Sequence, residues 1–215
     1  MSEFAVLSSE NINLKRDQNS VILIRKSKFD RNSMNEISNR VEDTLRRLET
    51  RPVPVAQGDI FAVTIRGKQD NRHYLLASFH GDTNGLATIP VVRAVNDVFR
   101  TMPYADTTMV FGLDANTYEH AKPGKQQDVT EFARFYGTLG LTSVWGDYPN
   151  PSEYTTFNAR TFLQPQFNKA SRRNEIRLKG DANPKDFILF RKGEFRVFDR
   201  HKDNTGHRIY EEGTV

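Results

Sequence analysis

Apolar residues along the chain come in short blocks whose spacing changes from one block to the next. Residues 20–29, "SVILIRKSKF", hold Val21, Ile22, Leu23 and Ile24 in a row, which predicts a buried strand. In "SMNEISNRVEDTLRRLET" the apolar positions Met34, Ile37, Val41, Leu45 and Leu48 fall three and four apart. That period predicts an amphipathic helix, with Ser33 as N-cap and Glu36 completing a capping box. "DIFAVTIRG" and "HYLLASFHG" are two β-rich runs around the polar "KQDNR", the pattern of a hairpin with a loose loop. "TIPVVRAVNDVFRTM" returns to helical spacing, with Val91, Val92, Val95, Val98 and Phe99 on one face and Pro90 suited to the first turn. "TTMVFGLDAN" reads as a strand. "QDVTEFARFYGTLGL" reads as a helix with Val129, Phe132, Phe135, Tyr136 and Leu139 on one side.

After residue 141 the pattern breaks into a long irregular stretch rich in aromatics and proline. It closes with "KDFILFRKGEFRVFD", which reads as two short strands joined at "KG", and a polar tail. No repeat, low-complexity tract or composition shift marks a boundary, so 1–215 is taken as a single domain. Strands and helices alternate in the middle with hairpins around them, which predicts an α/β fold with a mixed sheet.

Composition narrows the chemistry. The chain has 215 residues, enough for a sizeable core, and no cysteine. Disulfides, thiol nucleophiles and cysteine-held zinc are therefore excluded. The net charge of +4 and the pI of about 9.3 suit a polyanionic partner without requiring one. No apolar run reaches bilayer length, and "MSEFAVLSSENINLKRD" lacks the regions of a signal peptide. The expectation is a protein with no membrane association; the compartment stays open, with a lean toward the inside of the cell.

Three apolar runs share a further pattern: each meets polar groups abruptly at a strand end. They are "LLASFHGDT" at His80, "MVFGLDANT" at Asp114 and Asn116, and "PKDFILF" with Asp186 at a strand start. Strand ends on one rim of a sheet are where α/β folds gather their sites. If the three ends share a rim, an imidazole, two carboxylates and a carboxamide converge there. Such a set suits attack on a phosphoester: carboxylates hold a divalent metal or orient water, the amide donates to phosphate, and histidine donates to the developing charge. Each piece also has a plain reading. Asp114 and Asn116 can be a turn, His80 a packed strand end, and Asp186 a cap or an ion pair with Lys185 or Lys192. His73, His120, His201 and His207 lie in polar, turn-like stretches and read as solvated. Tyr118, Trp145, Tyr148, Tyr154, Phe157 and Phe162, interleaved with Arg160, can stack on bases or pack a loop onto the core. The basic clusters at 25–28 and 171–173 read as solvated faces.

The order of these pieces resembles the endonuclease/exonuclease/phosphatase superfamily, which includes pancreatic deoxyribonuclease. The resemblance runs over about residues 15 to 195. "GLDAN" is similar to that family's G-D-x-N motif, with Leu113 added between Gly112 and Asp114. The family's strand-end histidine falls on His80 and its later aspartate on Asp186. The resemblance implies a deoxyribonuclease I-like sandwich of two packed mixed sheets flanked by helices. It also implies a magnesium-dependent phosphodiesterase, endonuclease-like, acting on a phosphodiester such as nucleic acid. Asp114 would orient the attacking water, Asn116 would hold that water and a phosphate oxygen, and His80 would donate to the phosphate. Asp186 would orient a catalytic histidine. Asp114 and Asn116 are the candidates to approach the metal. Two family segments have no counterpart. One is L-Q-E, with its metal-binding glutamate, for which Glu10 in "SSEN" is a poor substitute. The other is the closing S-D-H, which "FDRH" at 198–201 does not match. The expectation is therefore a domain incomplete at both ends. A phosphatase or lipid phosphodiesterase of the same fold, or an inactive binding module, stays open beside the nuclease.

Overall fold

The computed structural model describes residues 3–10, 12, 15, 19–156 and 182–202. Its centre is a six-stranded mixed sheet in the order β3-β4-β5-β6-β8-β7. These strands are β3 (Phe29–Glu36), β4 (Ile60–Gly67), β5 (His73–His80), β6 (Thr108–Asp114), β7 (Leu141–Ser143) and β8 (Asp186–Arg191). A separate antiparallel pair, β1 (Phe4–Leu7) and β2 (Ile22–Arg25), lies against it. Three helices, α1 (Ser38–Leu48), α2 (Thr88–Arg100) and α3 (Val129–Thr138), complete the fold. The result is the α/β fold with a mixed sheet that the alternation predicts, arranged as the two-sheet sandwich that the resemblance implies. None of the described helices is long and apolar enough to cross a membrane.

Alternation along each strand sorts its side chains between two cores. On β5, Leu75, Ala77 and Phe79 face the helices, while Leu76 packs toward the two-stranded sheet. The helix-side core takes Val41 and Leu45 of α1, Val91, Val95 and Val98 of α2, and Phe132 and Tyr136 of α3. The second core joins Ala5, Leu7 and Ile24 to Phe61, Val63 and Ile65 of β4. The hairpin β4–β5 forms in the predicted place, with Ile60 opposite Phe79. β5, α2 and β6 make a crossover that leaves β5 and β6 parallel. Because they are parallel, His80 and Asp114 end their strands on the same rim.

Three local predictions do not hold. Ser33 does not cap a helix. It lies in β3, at a register shift in its pairing with β4, where its hydroxyl donates to Asp30 O and accepts from Arg66 N. Pairing with β4, and the packing of Phe29 and Met34 on the second core, override the helical spacing. The helix starts at Ser38, without a side-chain cap. Beyond "KG", residues 192–199 form no strand; only β8 does. β7 and β1, by contrast, form in stretches where the pattern predicts nothing. Of the predicted solvated histidines, His73 is a strand residue, its ring stacked on Tyr104 with centroids 3.7 Å apart. His207 lies outside the described residues.

Candidate functional site

The site is built by register. His80 stands opposite Asp114 in the parallel pair β5–β6, and Asp114 stands opposite Asp186 in the antiparallel pair β6–β8. Directly opposed residues project to the same face of a sheet. The three strands therefore bring an imidazole and two carboxylates into one row at one rim. His80 Nε2 is 3.5 Å from Asp114 Oδ2.

Two loops behind the row are knitted together. Gly81 N donates to Asp114 O at 2.9 Å, and Asn116 Nδ2 donates to Gly81 O at 3.0 Å. Asn116 N donates back to Asp114 Oδ1 at 2.9 Å, a local side-chain turn that holds Asn116 at φ 47°. The turn reading of Asp114 and Asn116 is thus correct as local structure. Asn116 is buried, and its carboxamide nitrogen serves as a tie between the ends of β5 and β6. Gly85 completes the joint. At φ +70° a side chain there is strained, and a Cβ would come within 2.7 Å of Asn116 O and 2.8 Å of Ala115 O. Asp82 secures the same turn by accepting from Ala87 N and Asn84 N.

Asp114 is the electrostatic centre. Burial first, and the Asp186 charge second, push its carboxyl up to about 6; the Asn116 amide, His80 and Lys185 oppose the rise. A carboxyl in that range exchanges protons near neutrality, as general acids and bases do. Asp186 meets neither Lys185 nor Lys192 in an ion pair, as its plain reading had it; Lys192 pairs with Asp147 at 2.8 Å. Its carboxylate accepts instead from the Thr155 hydroxyl, and its carbonyl accepts from Trp145 Nε1 at 2.7 Å. Lys185 is buried, with its ammonium 5.2 Å from the Tyr118 ring centroid. Thr155 and Lys185 carry no signal in the sequence as site residues. Their roles depend on a loop and a strand meeting that are far apart along the chain.

The aromatics proposed for stacking divide. Tyr118 is buried and its hydroxyl donates to Thr83 O. The Tyr154 hydroxyl donates to Glu119 Oε2, while Tyr148 is exposed. Phe157, Arg160, Phe162 and the basic cluster at 171–173 lie outside the described residues.

Magnesium, which the resemblance implies, was tested against the donors. Among the described residues no three His, Cys, Asp or Glu side chains gather as an all-protein metal site would need. Asp114 Oδ1 and Asp186 Oδ2 each accept a hydrogen bond, and Asn116 donates to Gly81 O through Nδ2, which leaves that bond off its amide oxygen. Magnesium is commonly held by only one or two carboxylates together with phosphate oxygens and waters, so Asp114 and Asp186, opposed on β6 and β8, are the residues that would hold it, and no chemical step is drawn through it.

No family model matches the sequence, and no curated protein matches it. Solved structures match in fold. A mannosyl-6-phosphatase of Bacteroides thetaiotaomicron aligns with a TM-score of 0.51 at 14% identity, over 89% of this chain and 64% of that one. An endonuclease/exonuclease/phosphatase family protein from the same organism aligns at 0.50 and 14% identity, over 88% and 61%. The chain has the endonuclease/exonuclease/phosphatase fold. Zebrafish (D. rerio) TDP2, solved with a single-strand DNA product, aligns at 0.49 and 16% identity, over 88% and 62%. The chain spans less than two thirds of each of these structures. Identities this low speak to fold and leave activity to the site.

Proposed function

We propose that this site hydrolyses phosphoesters, most readily a phosphodiester in the manner of a nuclease. The observation that carries the reading is the row of His80, Asp114 and Asp186, opposed in register on three neighbouring strands. Ionised Asp114, a base poised near neutrality, takes a proton from water. The water oxygen forms the new bond to phosphorus as the bond to the leaving oxygen breaks. His80, with Nε2 3.5 Å from Asp114 Oδ2, donates the proton that the leaving oxygen takes up. Asp186 holds the proton on the pair by its charge, and Asn116 fixes the loop that carries Asp114. Magnesium, the cofactor of the family resembled, belongs to this reading only as an addition to the assay. The positive net charge of the chain supports a polyanionic substrate such as nucleic acid.

The test is turnover of bis(p-nitrophenyl) phosphate and nicking of plasmid DNA, with and without added divalent cations. Hydrolysis is expected to fall roughly 10²–10⁴-fold in His80→Ala and Asp114→Asn. Turnover unchanged by both substitutions overturns the assignment. A preference for p-nitrophenyl phosphate identifies a phosphatase of the same fold. Salt-sensitive DNA binding without turnover identifies a binding module, the second reading, which the positive net charge of the chain also suits.

A further inference from the structure

Thr155 lies in the loop after β7, far from the site in sequence, yet its hydroxyl is spent entirely on one point of the rim. Thr155 Oγ1 accepts from the backbone N–H of Lys185 at 2.9 Å and of Asp186 at 2.8 Å. It donates to Asp186 Oδ2 at 2.7 Å. A hydroxyl has one donor and two acceptor positions, and all three are filled here. The hydroxyl hydrogen then has one direction left, toward Asp186 Oδ2. That oxygen is held as an acceptor, and the carboxylate can no longer turn freely.

The loop bearing Thr155 is itself anchored. Ser152 Oγ donates to Glu119 Oε1 at 2.7 Å, and the Tyr154 hydroxyl donates to the other oxygen of Glu119. Lys202 Nζ donates to Glu153 Oε1 at 2.6 Å and to Tyr154 O at 3.1 Å. Thr155 N and Thr156 N both donate to Asn183 O, and Asn183 N donates back to Thr156 O. Asn183 Oδ1 accepts from Glu119 N. Loop and strand entry are clamped on both sides of Thr155, so its hydroxyl is delivered at a fixed place.

We propose that Thr155 is a positioning residue of the site: it sets the rotation of the Asp186 carboxylate by tying Oδ2, and so fixes where that charge stands beside Asp114. The proposal rests on the hydrolytic reading above. It adds to that reading a residue that touches neither water nor phosphate but fixes how the Asp186 charge stands beside Asp114. Proton exchange at Asp114 feels the Asp186 charge, so a freely turning carboxylate beside it weakens catalysis more than binding.

The experiment compares Thr155→Val, which keeps the shape and loses the hydroxyl, with Thr155→Ser, which keeps the hydroxyl. Turnover of bis(p-nitrophenyl) phosphate is measured alongside the Asp186 side-chain carboxyl ¹³C resonance. Thr155→Val is expected to lower kcat about tenfold to a hundredfold with KM within about threefold, the loss of a hydrogen bond to a charged group. Thr155→Ser is expected to restore kcat to within about threefold of wild type. The carboxyl resonance is expected to shift in Thr155→Val and to stay in place in Thr155→Ser. Wild-type kcat in a folded Thr155→Val, or no recovery in a folded Thr155→Ser, overturns the proposal. If wild type itself turns over nothing, the hydrolytic reading falls. The resonance then decides the positioning role alone, and an unmoved Asp186 signal in Thr155→Val overturns it. Should Thr155→Val fail to fold, Thr155→Ala serves the same comparison.

Discussion

Ile188 and Leu189 are neighbours on β8, yet Leu189 is fully buried and Ile188 is 43% exposed. The difference belongs to the two faces of the six-stranded sheet. Three helices cover the face of Leu189, Phe111 and Leu75. The two-stranded sheet covers the other face over β4 and β5, where Phe61, Val63 and Leu76 are buried against it. Over β6 and β8 that second cover thins out among the described residues. A side chain at Gly112 would meet nothing within 4 Å, and Ile188 stands open. By alternation Asp114 and Asp186 project to this open side. One face stores the stability of the fold, and the proposed site stands on the other, where cover is thin among the described residues.

The largest expected effect lies on the covered face. Phe111→Ala should cost about 3–5 kcal/mol and Leu189→Ala about 2–5 kcal/mol in denaturant unfolding, as cavities in a close-packed core do. A loss under about 1 kcal/mol for both would break the contrast at its strong side.

Next comes Asp114→Asn, which separates stability from catalysis. A folded carboxyl raised from 3.8 to about 6 binds a proton more tightly than the unfolded chain does. Its stabilising contribution is full below about pH 4 and is lost as the pH rises through about 6. Wild type therefore carries a penalty at pH 7 of up to about 2–3 kcal/mol, which asparagine removes. The variant should melt higher than wild type at pH 7.5 and about equal to it near pH 4, while losing activity. A variant less stable at pH 7.5 would mean that the ionised carboxylate supports the fold.

The smallest effect belongs to the open face. Ile188→Ala should change stability by less than about 1 kcal/mol. A cost matching that of Leu189→Ala would show that this side is covered in solution, and the contrast would need redrawing.

How much of this was legible beforehand follows from which forces act locally. The strand runs at 60–67, 73–80 and 108–114 and the helices at 88–100 and 129–138 could be read because their apolar spacing is their packing. The rim residues could be read because strand ends are visible as abrupt polar steps. Ser33 misled because its neighbours happen to keep a helical period while a long-range pairing with β4 decides their state. Asp128, by contrast, caps α3 by accepting from Thr130 N and Glu131 N, a purely local act. β1 and β7 are only four and three residues long, too short to carry a period. His73 was misjudged because its stacking partner, Tyr104, lies across the crossover. Thr155 was invisible for the same kind of reason: nothing near it in sequence tells that Asp186 will lie beneath its hydroxyl.

The glycine joint behind the row also has a dynamic meaning. Gly81, Gly85, Ala115 and Asn116 hydrogen-bond or pack on one another across two loops, and the Ala115 amide donates to Lys185 O just ahead of β8. A loop held only at its base breathes on its own, whereas segments sharing bonds must open together. The amides of Gly81, Ala115 and Asn116 should therefore exchange with solvent deuterium as one slow group, at rates set by the melting of β5 and β6 and not by local loop motion. The rim would then behave as part of the core's cooperative unit, and whatever binds there meets a surface that is already in place.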